Sequence, residues 1–256
     1  MPDSILITGA ASGIGLAAAQ LFHSKGWRVG LLDINARDLA RIAGGLRDQQ
    51  GQPAWHRAVD VTDATSAQAA VDDFAGKGGL RVLFNCAGVL RTGHFAEVPL
   101  AEHELTLRIN VLGTMIMARA ALPWLKQAHR PVMINMSSAS AVYGIPHLAS
   151  YSASKFAVRA LTEALHIEWK PLGVHVCDLM PPFVRTPMLA SQQFIPPVLR
   201  KLGVNMAPEK VAQAALNAVE RRAVHHPIGL QFNGLVALEK LTPRRITQRL
   251  IGWLSQ

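Results

Sequence analysis

Acidic residues are scarce in this 256-residue chain: 17 Asp and Glu stand against 26 Lys and Arg, for a formal net charge of +9. Cysteine is scarcer still. Cys86 and Cys177 are the two present, both in strand-like contexts. That excludes a disulfide scaffold and reads as reduced core residues of a cytosolic protein. Aromatic residues make up 6% of the chain, so Ala, Val, Leu and Ile must build the core, as they do where helices cover a parallel sheet. No His, Cys and carboxylate cluster shows metal-ligand spacing, which argues against metal chemistry. No apolar run reaches the length expected of a bilayer span. Met1-Pro2-Asp3 leads straight into a strand pattern, so no signal peptide is expected. Internal repeats and low-complexity tracts are absent.

What is present points to one α/β domain. Half of the residues are hydrophobic, ample for a buried core. The positive charge is unevenly placed: residues 1–184 carry 16 Lys/Arg against 14 Asp/Glu, residues 185–256 carry 10 against 3. A local excess of this kind fits a solvated basic face or an anionic surface. Without a nucleic-acid motif it gives no case for nucleic-acid binding.

Strand and helix patterns alternate from the start. Strands are expected at Ser4–Thr8, Arg28–Asp33, up to Val59, Arg81–Asn85, Val132–Ser137, Val174–Met180 and Ile228–Phe232. Helices are expected at Ile14–Lys25, Ala36–Gln49, Ala64–Ala75, Leu100–Leu125 with a break near Gly113, Tyr151–Trp169 and Pro208–Arg222. The alternation predicts a single-domain, Rossmann-type, doubly wound parallel sheet with helices on both faces. It spans residues 1–233. Three prolines interrupt Thr186–Leu202, which reads as a loop with short helices. Residues 234–256 form an amphipathic extension, with Thr242 as N-cap and Ile246, Leu250, Trp253 and Leu254 on one helix face. With Arg244, Arg245 and Arg249 beside them, residues 243–254 suit peripheral membrane contact, or packing on the body or a partner subunit.

The first strand runs into Thr8-Gly9-Ala10-Ala11-Ser12-Gly13-Ile14-Gly15. Glycines permit the sharp turn and close backbone approach, and the helix that follows offers free N–H groups to a pyrophosphate. Gly9, Ser12, Gly13, Ile14 and Gly15 are thus candidate cofactor residues. Asp33 ends the second strand at the spacing where a carboxylate meets the adenosine ribose hydroxyls, and it favours NAD over NADP. Its alternative role is to cap the next helix. Arg28 and Arg37 are the basic residues near enough in sequence to meet a 2′-phosphate. Further along, Tyr151 and Lys155 stand four apart on one helix face. An ammonium beside a phenol should lower the phenol pKa and fit it for proton transfer near neutrality. Ser138 lies thirteen positions upstream.

Together these motifs make the chain resemble the short-chain dehydrogenase/reductase family over residues 4–233. The resemblance implies that Ser138, Tyr151 and Lys155 are catalytic, with Asn110 as a catalytic-site asparagine. It implies that Asp60 and Val61 line an adenine pocket and that Asn85-Cys86-Ala87-Gly88 borders the cofactor through Asn85, Ala87 and Gly88. Pro181, Val184 and Thr186 would contact the nicotinamide. Two residues depart from the family pattern: Cys86 replaces a second asparagine and Pro182 a glycine. Proline fixes φ and restricts Pro181 before it, so the local backbone should differ.

The implied activity is hydride transfer between a nicotinamide cofactor and a secondary alcohol or ketone. Tyr151 would be acid/base, Lys155 would tune it and hold the nicotinamide ribose, Ser138 would bond the substrate oxygen, and Asn110 would position Lys155. Ser138 and Tyr151 are the candidate substrate contacts. The loops after Gly88 and Ser138, with Phe183–Leu202, are apolar and suit a lipophilic alcohol or ketone. His94 and His147 in those loops receive no role. The family implies a homodimer or homotetramer. A catalytically silent dinucleotide sensor or scaffold is the rival reading, and it would require a damaged Ser/Tyr/Lys set.

Overall fold

The computed structural model describes residues 2–48, 50–229, Phe232 and Gly252. Seven parallel strands form one sheet in the order β3-β2-β1-β4-β5-β6-β7. They are β1 (Ser4–Thr8), β2 (Arg28–Asp33), β3 (Trp55–Ala58), β4 (Val82–Asn85), β5 (Val132–Met136), β6 (His175–Met180) and β7 (His225–Pro227). β1, β4, β5 and β6 are buried along their whole length. This explains their continuous apolar runs: both faces of a parallel sheet are covered, so alternation is lost.

On one face lie α1 (Gly13–Ser24), α2 (Ala36–Gly45) and α9 (Pro208–Glu220). They bury Phe22, Leu39, Val211 and Ala215 against Ile5, Leu31, Val82 and Ile134. On the other face are α3 (Ala64–Gly76), α4 (Leu100–Leu107), α5 (Thr114–Leu125) and α6 (Ala149–Trp169). There Phe74, Met117, Ala121 and Trp169 meet Leu6, Leu83, Met133 and Val176. Two short helices, α7 (Pro187–Ala190) and α8 (Pro197–Leu202), sit in the proline-rich excursion after β6.

The expected elements form, with three corrections. Among the described residues the last strand is His225–Pro227, earlier than the expected Ile228–Phe232, because pairing to β6 uses Asp178 to Met180 and the chain reaches that edge directly from α9; residues 230 and 231 of the expected strand lie outside the described residues. There is no break near Gly113. A π-helical segment, Arg108–Gly113, joins α4 to α5. The resulting helix, Leu100–Leu125, has 26 residues and a mean hydropathy of 1.3 over its most apolar stretch, so by length and composition it could cross a membrane. The sequence expectation of no apolar run of spanning length is therefore corrected on length and composition. Here the helix packs on the sheet through Met117, Ala118, Ala121 and Leu125. The amphipathic extension expected at 234–256 lies outside the described residues, apart from Gly252.

Strand order reverses between β1 and β4. In doubly wound sheets the crevice for a ligand opens there, beyond the carboxyl ends of the strands. Thr8 Oγ1 closes the base of this crevice by accepting from the Cys86 and Ala87 backbone N–H groups, at 3.0 and 2.9 Å.

Candidate active site

The turn after β1 is shaped by backbone contact. Gly9 has φ +68°, and a Cβ there would stand 2.9 Å from the Ala87 Cα; one on Gly15 would come within 2.1 Å of the Gly9 carbonyl oxygen. Neither position accepts a side chain. Ser12 occupies the N-cap of α1 without making a side-chain cap bond, and the first turn contains no acid. The opening N–H groups of α1 are therefore left to a ligand, and the dipole favours an anion.

A cleft of about 320 Å³ runs from this turn to the apolar excursion after β6. Gly9, Ser12, Gly13, Ile14, Gly15, Asp33, Asp60, Val61, Ala87, Gly88, Pro181, Val184 and Thr186 all line it, as do Ser138, Tyr151 and Lys155. Asp33 holds the loop as well as the cleft wall: Ala11 N–H donates to Oδ2 and Asn35 N–H to Oδ1, each at 3.0 Å. The cap of α2 is Asn35, which accepts from Asp38 N–H, so the alternative role considered for Asp33 falls to its neighbour. Arg28 does not line the cleft. Its guanidinium lies 3.9 Å over the Phe74 ring and donates to the Phe74 and Gly79 carbonyls, at the other end of β2. Arg37 is exposed on α2 and does not line the cleft.

Two of the expected site residues stand elsewhere. Asn85 is buried inside the sheet. Its Nδ2 donates to Asn135 Oδ1, and Asn135 Nδ2 to Thr162 Oγ1, both at 3.0 Å. This polar ladder ties β4, β5 and α6 together and does not face the cleft. The side chain of Asn110, in the π-helical segment, accepts from Val89 N–H at 2.8 Å and donates to the Val89 carbonyl and Ser154 Oγ at 3.0 Å. It does not line the cleft, and Lys155 Nζ stands nearby, 3.8 Å from where a Gly88 Cβ would be. Asn110 fixes the loop beside Gly88, where a Cβ would stand 3.0 Å from Asn110 Oδ1.

The Ser138 side chain faces the Tyr151 phenol and favours its ionised form. Lys155 Nζ donates to the Met136 carbonyl at 2.7 Å and lies 5.4 Å from the Tyr151 ring centroid. The expected lowering of the phenol pKa does not appear. Burial pushes Tyr151 up to about 12 against the opposing effect of Ser138, and burial brings Lys155 down to about 8. Loss of water penalises phenolate and ammonium alike, and the ammonium is spent on a carbonyl. Cys86 lines the same cleft, where burial raises its thiol to about 12 and keeps it neutral.

Sequence reasoning did not name Ile34, Val59, Ile109, Met136, Ser137 and Leu148 as cleft-lining residues, whereas Phe183, expected on the substrate side, lines it. Ile34, Val59, Met136 and Ser137 end a strand or follow one, so their place at the carboxyl edge was the available signal; Ile109 sits in the π-helical segment and Leu148 at the start of α6. Among the apolar loop residues expected near the substrate, Val89, Leu90, Met188 and Leu189 line the cleft. Ile145, Val198 and Leu199 pack behind them.

Fold and cleft define a class: a nucleotide-binding, doubly wound α/β oxidoreductase. Residues 3–194 match the family model for short chain dehydrogenases. The chain is 38% identical over 184 residues to a D-threitol dehydrogenase from Mycolicibacterium smegmatis, covering 71% of this chain and 70% of that protein. Among solved structures it resembles a short chain dehydrogenase/reductase from Burkholderia phymatum in complex with NAD, at 25% identity and TM-score 0.84 over 97% of this chain and 95% of the other. It also resembles an alcohol dehydrogenase from Thermococcus sibiricus complexed with 5-hydroxy-NADP, at 25% identity and TM-score 0.78, covering 89% and 96%. The chain belongs to the short-chain dehydrogenase/reductase family and is an oxidoreductase acting on CH–OH groups.

Proposed function

We propose that this protein interconverts a lipophilic secondary alcohol and its ketone with NAD as cofactor. The observation that carries the reading is the convergence in one cleft of Ser138, Tyr151 and Lys155 with the open N-terminus of α1 and the Asp33 carboxylate. The residues present fit a dinucleotide. Ser12 leaves the α1 amides open, the glycine turn leaves room for a backbone-hugging pyrophosphate, and Asp33 stands where ribose hydroxyls would bond. When bound, the nicotinamide supplies the hydride acceptor or donor.

The protein's own part is the proton. In reduction, Tyr151 gives its phenolic proton to the substrate oxygen; in oxidation, its phenolate takes the hydroxyl proton. Ser138, facing the phenol, holds the same oxygen and offsets charge developing on it. Lys155 supplies a buried ammonium beside the tyrosine and would hold the nicotinamide ribose. Asn110 acts one step back, by fixing Val89 and α6.

Leu90, Leu148, Phe183, Met188 and Leu189 form the substrate end of the cleft. That lining supports a lipophilic ligand over a polyol, although the threitol enzyme is a relative. NAD rests on Asp33, whose charge repels a 2′-phosphate. We further propose a cytoplasmic homo-oligomer. A panel of lipophilic secondary alcohols and polyols, read by nicotinamide absorbance with NAD and with NADP, tests the assignment. Turnover confined to polyols would refute the substrate class, and preference for NADP would refute the role of Asp33.

A further inference from the structure

His94, His147 and Phe194 come from three separate loops and meet in one ring cluster outside the cleft. The His94 and His147 rings stand 4.8 Å apart, His94 and Phe194 5.3 Å, and His147 and Phe194 5.0 Å. Backbone bonds join the same loops. Thr92 Oγ1 donates to the Phe194 carbonyl at 2.5 Å, and Gly93 N–H donates to the His147 carbonyl at 3.0 Å. His147 adopts φ +66°, a left-handed conformation that histidine tolerates better than most side chains. Its Nδ1 is buried without a partner, so the ring is held here by packing and not by that nitrogen.

Phe194 lies near the middle of the excursion after β6. That excursion is anchored at its base, where Val184 bridges to Met206 and Arg185 N–H donates to the Met206 carbonyl at 2.9 Å. Between the anchors, Leu189 lines the cleft while Val198 and Leu199 pack against Leu90 and Leu148. The residues that face a substrate are thus carried on a segment pinned at its base and at Phe194.

We propose that Phe194, packed against both His94 and His147 and bonded through its carbonyl to Thr92, is a latch that holds the substrate excursion in its cleft-forming position. None of these four residues lines the cleft, so each is a positioning residue. The inference rests on the proposed alcohol–ketone activity for its kinetic consequence. An unlatched excursion populates its closed form less, and apparent substrate affinity falls by that fraction while the chemical step is untouched.

The test uses the full-length protein and the variants Phe194→Ala, Phe194→Tyr, Thr92→Val and His147→Asn. Asparagine keeps the left-handed backbone at 147 and removes the ring. Amide hydrogen exchange across residues 183–204 is measured first, without substrate. Faster exchange there in Phe194→Ala and His147→Asn, with Phe194→Tyr near wild type, is expected; unchanged exchange overturns the latch whether or not a substrate is known. With an active alcohol, Phe194→Ala and Thr92→Val should raise KM several-fold and leave kcat and the KM for NAD within about twofold. A fall in kcat with KM unchanged would refute the positioning role. If the wild type turns over no alcohol or ketone, the proposed activity fails, and the exchange measurement still decides the latch.

Discussion

At the scale of single residues, burial decides the behaviour of the proposed catalytic pair, Tyr151 and Lys155. Tyr151 sits near pKa 12 and Lys155 near 8, so at neutral pH the phenol is protonated and suited to act as an acid. Oxidation needs the phenolate, so kcat/KM for alcohol oxidation should climb with pH through the alkaline range while ketone reduction is strongest near neutrality; a pH–rate series in both directions checks this. Tyr151→Phe should lose about 10²–10⁴-fold in turnover, the usual contribution of a positioned acid/base, while NADH titrated by fluorescence still binds. Lys155 has a stability signature too. Its folded pKa is lowered from 10.5 to about 8, so in that window the unfolded chain holds a proton the folded one has released. Stability from this group therefore rises as pH increases from about 8 to 10.5. Urea melts should show wild type gaining stability relative to Lys155→Met as pH rises through that window, and parallel pH profiles would contradict the assignment. The sequence drew attention to these residues through their spacing and the family resemblance together, and the structure places both in the cleft. Their pKa values were not legible, because spacing reports proximity and says nothing of how much water is lost or where the ammonium points.

Among the elements, the glycine turn and the π-helical segment position the site by different means. Gly9→Ala would place a methyl 2.9 Å from the Ala87 Cα with φ at +68°, so NADH affinity measured by fluorescence should fall steeply with the fold intact by circular dichroism. Asn110 makes three hydrogen bonds, the one to Ser154 buried and the two to Val89 half-buried. Asn110→Ala should cost about 1–3 kcal/mol by leaving the half-buried Val89 backbone groups and Ser154 without this partner, visible as a lower denaturation midpoint. π-bulges recur at functional sites, and this one turns Asn110 toward the loop it fixes. Sequence periodicity located the elements well where both faces of a strand are apolar. It failed at Gly113 because glycine reads as a breaker, whereas here a Cβ would stand 2.6 Å from Val61 Cγ2, and the residue serves close packing against the adenine-side loop. Asn85 was misplaced for a related reason: a polar residue at a strand end looks functional, and the ladder through Asn135 and Thr162 shows only once three elements are side by side.

For the molecule as a whole, α4, the π-helical segment, α5 and α6 leave Leu105, Leu112, Met115, Phe156 and Ile167 exposed. Leu105 and Leu112 are seven apart, and Phe156 and Ile167 eleven, so each pair shares a helix face. A second copy of the chain is the expected cover. Sedimentation velocity should show a dimer or tetramer, and Leu112→Arg with Ile167→Glu should shift it toward monomer with the secondary structure retained. The doubly wound architecture was readable in advance because strand, turn and helix signals agreed from residue 4 onward. The substrate excursion was legible only as proline-interrupted apolar chain, since its placement depends on contacts from loops a hundred residues away. That excursion leaves and rejoins the body at the bridge between Val184 and Met206. Its two ends are neighbours, and lengthening such a loop adds little closure entropy. The segment is therefore the natural graft point of the molecule: replacing 186–205 with the corresponding stretch of another reductase should exchange substrate preference while leaving the sheet, the glycine turn and the proton-transfer set as they are.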